Sequence, residues 1–379
     1  MKMIRVLLVA VGGYGRNYVE RLIGDACPED VRVVGIADPM AEKARDWELI
    51  QASGIPVYNT PDEFYAEHEA DLAIISAPIH LHAPLTITCL RHGSFVLCEK
   101  PAAPTASEAR AMLQASQETG LWVAIGYQLS FTTQMQAIKK DLLAGVYGAP
   151  VHFKTLHSMR RGLRYYRRNS WAGKVNVGGH PVNDSPFANA CAHQFHNMLF
   201  LLGDTMYTAA PVNLVKAELY RGNPNVENFD TVAVEAQDPH GFRVSYYTSH
   251  PMNIRNIGPL SEFICEKGTI YHYEDTEDLV GVLADGRRIE YKVVPDEGFK
   301  KLYDVLDCVR TGTKPVCTIE TALPHACIVD ALSKLPIRPA KAELYEEDGE
   351  MFYGIPGLEE AFHESFRRGV LPSEAGFQL

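Results

Sequence analysis

Two groups of side chains in this chain have the types and spacing that chemistry requires. The first is Glu99-Lys100-Pro101, which follows the apolar run Phe95-Val96-Leu97-Cys98. Proline disfavours the α conformation in the residue before it, so Lys100 is held extended at a strand end. A lysine there can donate hydrogen bonds to a hydroxyl or relay a proton. The plainer reading of Lys100 alone is a solvated strand-end lysine. The second group is Asn189, His193 and His196, at i, i+4 and i+7 of a helical pattern spanning Pro186 to Leu202. Phe187, Cys191, Met198 and Leu202 supply its buried stripe, and the three polar residues share another face. A histidine stacked among hydrogen-bonding neighbours suits general acid/base work near neutral pH, while a satisfied core histidine is the plainer alternative. The spacing of His193 and His196 does not match HExxH, and no carboxylate follows at ligand distance, so no metal is expected.

A third motif, Ala10-Val11-Gly12-Gly13-Tyr14-Gly15, matches GxGxxG with Ala10 in the first glycine's place. Gly12 lets a backbone approach a pyrophosphate, and Gly15 allows a helix to pack closely on a strand. Helix N–H groups would face the phosphates. Alanine is less permissive than glycine at the turn. Asp38 ends the second apolar run, where a carboxylate accepts hydrogen bonds from an adenosine ribose and repels a 2′-phosphate. NAD is therefore the expected cofactor. Lys43 and Arg45 lie close downstream and leave NADP open.

These residues need a frame to hold them. Ile4–Val11 is almost continuously apolar, as in a strand covered on both faces. Helical and strand patterns then alternate: helix from Tyr14 to about Ile23, strand Val33–Ala37, helix Ala41–Ala52, strand Ala70–Ser76, helix Ala83–Arg91, strand Phe95–Cys98, helix Ser107–Thr119 and strand Trp122–Gly126. Alternation of this kind implies a doubly wound parallel α/β sheet of Rossmann type. After Tyr127 the rhythm changes. Gln134–Leu143 is helical, and Val151–Leu156, Val212–Tyr220, Thr231–Ala236, Arg243–Thr248, Glu262–Glu266 and Thr269–Tyr273 read as strands joined by turns, as in an antiparallel sheet. Helical stretches follow near Phe299–Val309 and Thr321–Leu335. The expected division is residues 1–127 for nucleotide binding and 128–379 for a second, α+β domain.

Composition narrows the classes. The chain has 379 residues, 46% of them hydrophobic and 22% charged, which argues against a disordered, collagen-like or coiled-coil protein. A net charge of −11 repels phosphate backbones, so no nucleic-acid partner is expected. No apolar run is long enough to span a membrane. Met1-Lys2-Met3-Ile4-Arg5 followed by Val6–Val11 looks superficially like a leader, but the run is short and enters Gly12-Gly13, so it reads as a first strand and the protein as cytoplasmic. The 8 cysteines form no CxxC pair and read as reduced, buried thiols.

The densest basic stretch runs from Met159 through Arg160-Arg161-Gly162-Leu163-Arg164-Tyr165-Tyr166-Arg167-Arg168 to Trp171. Arg164 there could bind a carboxylate or phosphate, and Tyr166 or Trp171 could stack on a sugar face. Tyr127 and His196 join them as substrate candidates. A solvated or subunit-interface loop is the alternative.

Together these motifs resemble the Gfo/Idh/MocA family (glucose–fructose oxidoreductase, inositol dehydrogenase, rhizopine catabolism). The resemblance adds Ser76-Ala77-Pro78 with His82, the helix ending at Leu202-Gly203, and Gly357-Leu358-Glu359-Glu360-Ala361-Phe362. It implies a second domain built on a large, mostly antiparallel open sheet that assembles homodimers or homotetramers. It implies cofactor contacts at Gly12, Gly13, Tyr14, Gly15, Asp38, Ser76, Pro78, His82, Glu99 and Lys100. It implies catalysis by Lys100 and His193, with the family's aspartate replaced by Asn189. Asparagine can orient an imidazole but cannot stabilise an imidazolium by charge. Asp184 is a substitute carboxylate, but helical geometry does not bring it beside His193. The implied activity is NAD(P)-dependent hydride transfer on a sugar, polyol or cyclitol. An NAD-recycling glycosidase or epimerase and a non-catalytic NAD- or sugar-binding sensor are the alternatives.

Overall fold

In the computed structural model, residues 3–24 and 27–379 are described; Met1 and Lys2, which open the leader-like stretch, lie outside the described residues. The chain packs as two units, Met1–Phe131 with Gly298–Leu323, and Thr132–Glu297 with Pro324–Leu379. The boundary expected at 127 thus falls close to the first crossing. The segment Gly298–Leu323, expected in the second domain, packs with the first.

The first unit begins with β1 (Ile4–Val9), buried at every position except Arg5. Strands β2 (Val31–Ala37), β3 (Val57–Tyr58), β4 (Leu72–Ile75), β5 (Phe95–Cys98) and β6 (Val123–Ile125) follow in one parallel sheet, ordered β3-β2-β1-β4-β5-β6. This is the order of a doubly wound Rossmann sheet. It reverses between β1 and β4, and ligands of such sheets bind beyond the strands' carboxyl ends at that reversal. The crossovers carry α1 (Arg16–Leu22), α2 (Trp47–Ser53), α3 (Pro61–Tyr65), α4 (His82–Arg91) and α5 (Ala106–Thr119). The expected helix over Ala41–Ala52 is divided into a tight turn at Ala41–Lys43 and α2. Helix α3 starts by rule: Thr60 caps it by accepting the Glu63 N–H at 3.2 Å, with Pro61 in the first turn.

The second unit opens with α6 (Thr133–Leu143), β7 (Pro150–Met159) and α7 (Leu163–Arg167). The short pair β8 (Asn176–Val177) and β9 (His180–Pro181) precedes α8 (Ala192–Leu201). Strands β10 (Asn213–Arg221), β11 (Thr231–Gln237), β12 (Arg243–Ser249), β13 (Asn256–Cys265), β14 (Gly268–His272), β15 (Leu279–Leu283) and β16 (Arg288–Tyr291) come next. Helix α9 (Lys300–Thr311) belongs to the first unit, and α10 (Ile319–Leu332) runs from one unit into the other. The chain ends with β17 (Arg338–Pro339), the hairpin β18 (Glu343–Glu347) and β19 (Glu350–Gly354), and α11 (Leu358–Arg368).

The large sheet of this unit has nine strands in the order β16-β15-β14-β13-β7-β12-β11-β10-β17. It is antiparallel except where β7 meets β12 and β10 meets β17. Neighbouring tyrosines on β12 show its two covered faces, because successive side chains point to opposite sides. Tyr246 donates its hydroxyl to the Cys191 carbonyl at 2.6 Å, and Tyr247 donates to the Val370 carbonyl at 2.9 Å, beyond α11. Leu156, Tyr247, Ile257, Leu358 and Phe362 form the buried cluster on the α11 face. Phe362 is fully buried there, so truncating it to alanine should cost about 3–5 kcal/mol.

Helix α9 joins the first unit through specific contacts. The Arg310 guanidinium clasps Asp30 at 2.6 and 2.7 Å. Further on, the Ile125 N–H donates to the Cys317 carbonyl at 3.0 Å, extending the edge at β6. Cys89, Cys98, Cys191, Cys265 and Cys317 are buried, in keeping with thiols acting as small apolar side chains, whereas Cys27, Cys308 and Cys327 are only half-buried, against the expectation for all eight.

Candidate functional site

The glycine loop follows β1 directly. Ala10 takes a left-handed conformation, φ +64°, so the turn that GxGxxG assigns to glycine forms with alanine in place. That conformation costs an L-residue about 1–2 kcal/mol. The Gly15 N–H closes the loop on the Gly12 carbonyl at 2.9 Å. A Cβ on Gly15 would stand 2.3 Å from the Ala10 carbonyl oxygen, so only glycine lets α1 approach the strand end. A Cβ on Gly12 or Gly13 would meet nothing within 4 Å, which leaves the outer side of the loop open to a ligand.

Asp38 leaves β2 and turns back to this loop. Its Oδ2 accepts the Val11 N–H at 2.9 Å and its Oδ1 accepts the Met40 N–H at 2.8 Å. Each carboxylate oxygen retains acceptor capacity for a ribose hydroxyl. The Ser76 main-chain N–H donates to the Val9 carbonyl at 3.0 Å, while its buried hydroxyl has no partner among the described residues. An open glycine loop, a ribose-competent carboxylate and an unsatisfied hydroxyl fit an NAD dinucleotide. Pro78 leads the chain into the turn Ile79–Leu81 ahead of α4.

His82 bridges two loops of the first unit. Its Nδ1 lies 2.8 Å from the Pro101 carbonyl and its Nε2 lies 2.8 Å from the Ala77 carbonyl. The ring therefore pins the loop after β4 to the turn after β5. Burial pushes its pKa down, and the two carbonyls push it back up.

That turn is Glu99-Lys100-Pro101. Lys100 is half-buried at the end of β5. Beneath it Glu99, 6% exposed, is held by residues distant in sequence. Glu99 Oε1 accepts the Tyr18 hydroxyl at 2.6 Å and the Lys301 ammonium at 2.5 Å. Lys301 is 1% exposed and also donates to the Tyr14 hydroxyl at 3.3 Å. Burial pushes the Lys301 pKa down, but Glu99 and Tyr14 outweigh it, and the group stays charged above its ordinary value. Sequence reasoning missed Lys301 and Tyr18 because nothing local marks either. Tyr127, expected to reach substrate, is 2% exposed, and burial pushes its phenol pKa well up.

In the second unit, the expected helix from Pro186 to Leu202 is broken. A π-helical turn spans Pro186–Ala190, and α8 starts only at Ala192. The Cys191 N–H bonds the Pro186 carbonyl at 2.8 Å, five residues back. The Ser185 hydroxyl caps the turn by accepting the Ala188 N–H at 3.1 Å. The Tyr246 hydroxyl donates to the Cys191 carbonyl at the junction between this turn and α8. Asn189, His193 and His196 therefore do not share one α-helical face. The turn aims Asn189 at Asp184, to whose Oδ1 its amide donates at 2.8 Å. Asp184 Oδ2 accepts the Gly173 N–H at 2.7 Å. His193 is half-buried in the first turn of α8. His196 is 1% exposed and lies 6.5 Å, ring to ring, from His325. Burial, His325 and Lys139 together push its pKa well down, which makes it a neutral core histidine.

The basic stretch is docked on the hairpin β18–β19. Arg160 pairs with Glu347 at 2.5 Å and its guanidinium lies 4.2 Å from the Phe352 ring. Arg164, expected to meet substrate, donates to the Gly349 carbonyl at 2.8 Å. Tyr166 places its hydroxyl 2.7 Å from His250 Nδ1. The Arg168 guanidinium stacks 3.6 Å over Tyr165 and lies 5.2 Å from the Trp171 ring. The charge and aromatic surface read as a substrate loop are thus largely spent within this unit. Among the described residues, no cluster of three metal-ligating side chains occurs and no helix is long and apolar enough to cross a membrane.

Comparison with known proteins adds independent findings. Residues 4–127 match the model of an oxidoreductase family with an NAD-binding Rossmann fold, named GFO_IDH_MocA. An inositol 2-dehydrogenase of Rubrobacter xylanophilus is 32% identical over 155 residues, 41% of this chain and 44% of that protein. Inositol 2-dehydrogenase 1 of Saccharopolyspora erythraea is 26% identical over 200 residues, 52% of this chain and 54% of that protein. The matched stretches thus span about half the length of these relatives. Among solved structures, the WlbA dehydrogenase of Bordetella pertussis, in complex with NADH and UDP-GlcNAcA, superposes with a TM-score of 0.70 over 88% of this chain and 96% of its own. At 23% identity that likeness speaks to the fold alone.

Proposed function

We propose that this chain, whose residues 4–127 match the model of an oxidoreductase family with an NAD-binding Rossmann fold, acts as a member of the Gfo/Idh/MocA family and moves a hydride between nicotinamide and a hydroxyl or ketone carbon of a sugar, polyol or cyclitol. The observation that carries this reading is the glycine loop, where the open outer side of Gly12 and Gly13, the Asp38 carboxylate and the unpartnered Ser76 hydroxyl converge on the carboxyl end of β1. The names of the two matched relatives support a cyclitol within that class. Asp38 favours NAD over NADP by repelling a 2′-phosphate.

When bound, NAD supplies the hydride acceptor. The protein's part is to hold and deprotonate the hydroxyl. Lys100 donates a hydrogen bond to the substrate oxygen and stabilises the negative charge that develops there. His193 accepts the hydroxyl proton, and in the reverse direction returns it to the ketone oxygen. Asn189 acts through Asp184: an amide fixed by a carboxylate orients a neighbour without adding charge. Arg164 and Tyr166 spend polar atoms within their own unit and Tyr127 and His196 are buried, which supports placing direct substrate contact on Lys100 and His193 and leaves Trp171 as a candidate stacking surface.

A homodimer or homotetramer fits the broad sheet. Glu262, Tyr271 and Val280 stand in register across β13, β14 and β15 on a half-buried face suited to a second subunit. Buried cysteines suit a reducing, cytoplasmic setting. The test of the proposal is a panel of inositols, sugars and their keto forms, offered with NAD(H) and NADP(H) and followed by nicotinamide absorbance. Net NADH formation with one polyol class is expected. Tight NADH binding with no turnover of any panel member would favour the sensor reading instead.

A further inference from the structure

We infer that Lys301 is a positioning residue for the cofactor site, one that holds the Glu99-Lys100-Pro101 turn and the glycine loop in a single arrangement; this rests on the NAD-binding reading. The argument begins with Glu99. Its buried carboxylate takes donors from three places: Tyr18 on α1 at 2.6 Å, Lys301 on α9 at 2.5 Å and the Lys100 main-chain N–H at 3.3 Å. Gly126, just past β6, has no room for a side chain because a Cβ there would meet Glu99 Oε2 at 2.8 Å. The carboxylate is therefore fixed from the ends of β5 and β6 and from two helices.

Lys301 carries that fixation across to β1. Its ammonium also reaches the Tyr14 hydroxyl at 3.3 Å and lies 4.7 Å from the Tyr14 ring. Tyr14 is part of the glycine loop, and Phe299, two residues before Lys301, stacks on it at 6.0 Å with ring planes 12° apart. Arg21 of α1 covers the other side of that cluster, 3.6 Å from the Phe299 ring. One buried cation thus ties the loop after β1 to the turn after β5. Both lie at strand carboxyl ends, where a dinucleotide binds in this sheet order. An ammonium is needed because a buried carboxylate requires a partner charge, and a lysine supplies donors to both anchors at once.

The experiment compares wild type, Lys301→Met, Glu99→Gln and the double variant Lys301→Met/Glu99→Gln, reading Tm and NADH affinity by fluorescence. Lys301→Met leaves a buried charge unpaired, so both Tm and affinity should fall. The double variant removes that charge and should regain most of the Tm. If Lys301 positions the loops, the double variant's NADH Kd should stay about tenfold or more above both wild type and Glu99→Gln. Recovery of NADH affinity together with Tm would reduce the pair to a structural one and overturn the inference. Should wild type bind neither NADH nor NADPH, the cofactor reading falls and takes this inference with it, an outcome distinct from recovery in the double variant.

Discussion

The side-chain amide of Asn189 donates to Asp184 Oδ1 at 2.8 Å, so a neutral residue is held by a buried carboxylate in the place where the family resemblance puts an aspartate. Restoring that aspartate would set two carboxylates against each other. Like charges this close cannot both ionise, so the pair's pKa would rise above the unfolded value. A raised carboxylate pKa costs no stability in acid, and the cost appears as pH climbs through it. Asn189→Asp should therefore be less stable than wild type by about 1–3 kcal/mol near neutral pH and closer to it in mild acid. Urea unfolding at the two pH values checks this; a pH-independent difference would contradict it.

The glycine loop yields contrasting outcomes at three positions. Gly15→Ala forces a Cβ to 2.3 Å from a backbone oxygen, so stability should fall by at least about 1–3 kcal/mol. Gly12→Ala adds a Cβ in open space, so stability should change by no more than about 0.5 kcal/mol, whereas NADH binding weakens. Ala10→Gly relieves a left-handed alanine and should stabilise by about 1 kcal/mol. Thermal melts beside NADH titrations separate the three.

Buried histidines make the protein acid-sensitive. Burial pushes His152 down to about 3 and His157 down to about 4, and holds His196 and His250 well below their ordinary range. The unfolded chain takes up these protons first, near a pKa of about 6.5, so stability is present above that value and drains as pH falls below it. Asp230 works the other way: burial raises it to about 6, so its cost disappears as pH falls. The histidines outnumber it, and Tm should drop steadily between about pH 6.5 and 5. A flat Tm across that range would contradict the buried-histidine account.

His193→Ala and Lys100→Met should each lower turnover by about 10²-fold or more, the scale of acid/base catalysis. Asn189→Ala should cost less, because it acts only through orientation. Steady-state kinetics on the substrate found in the panel decide the matter, and unchanged turnover in both of the first two variants would remove them from the reaction.

What the sequence revealed and what it hid divide along contact distance. The glycine loop, Asp38 and the Glu99-Lys100-Pro101 turn are written in short local patterns that a strand-turn-helix unit imposes, and they lie where those patterns place them. The helix bearing His193 was half legible. Its apolar stripe is buried, but no local pattern marks the π-turn at Pro186–Ala190 that parts Asn189 from His193. The arginine-rich stretch looked free to meet substrate because its partners on β18 and β19 lie some 185 residues downstream. Lys301 meets Glu99 across 202 residues, and no periodicity links them.

The most direct test of the central claim is isotopic. NADH carrying deuterium at nicotinamide C4 is incubated with the enzyme and the keto form of a panel substrate, and the product is examined by mass spectrometry. Hydride transfer predicts a hydroxyl product bearing deuterium on the carbinol carbon, formed about 10²-fold more slowly in His193→Ala. Complete absence of label from every product, with NADH bound, would contradict the assignment of this chain as a nicotinamide-dependent oxidoreductase of sugars, polyols or cyclitols.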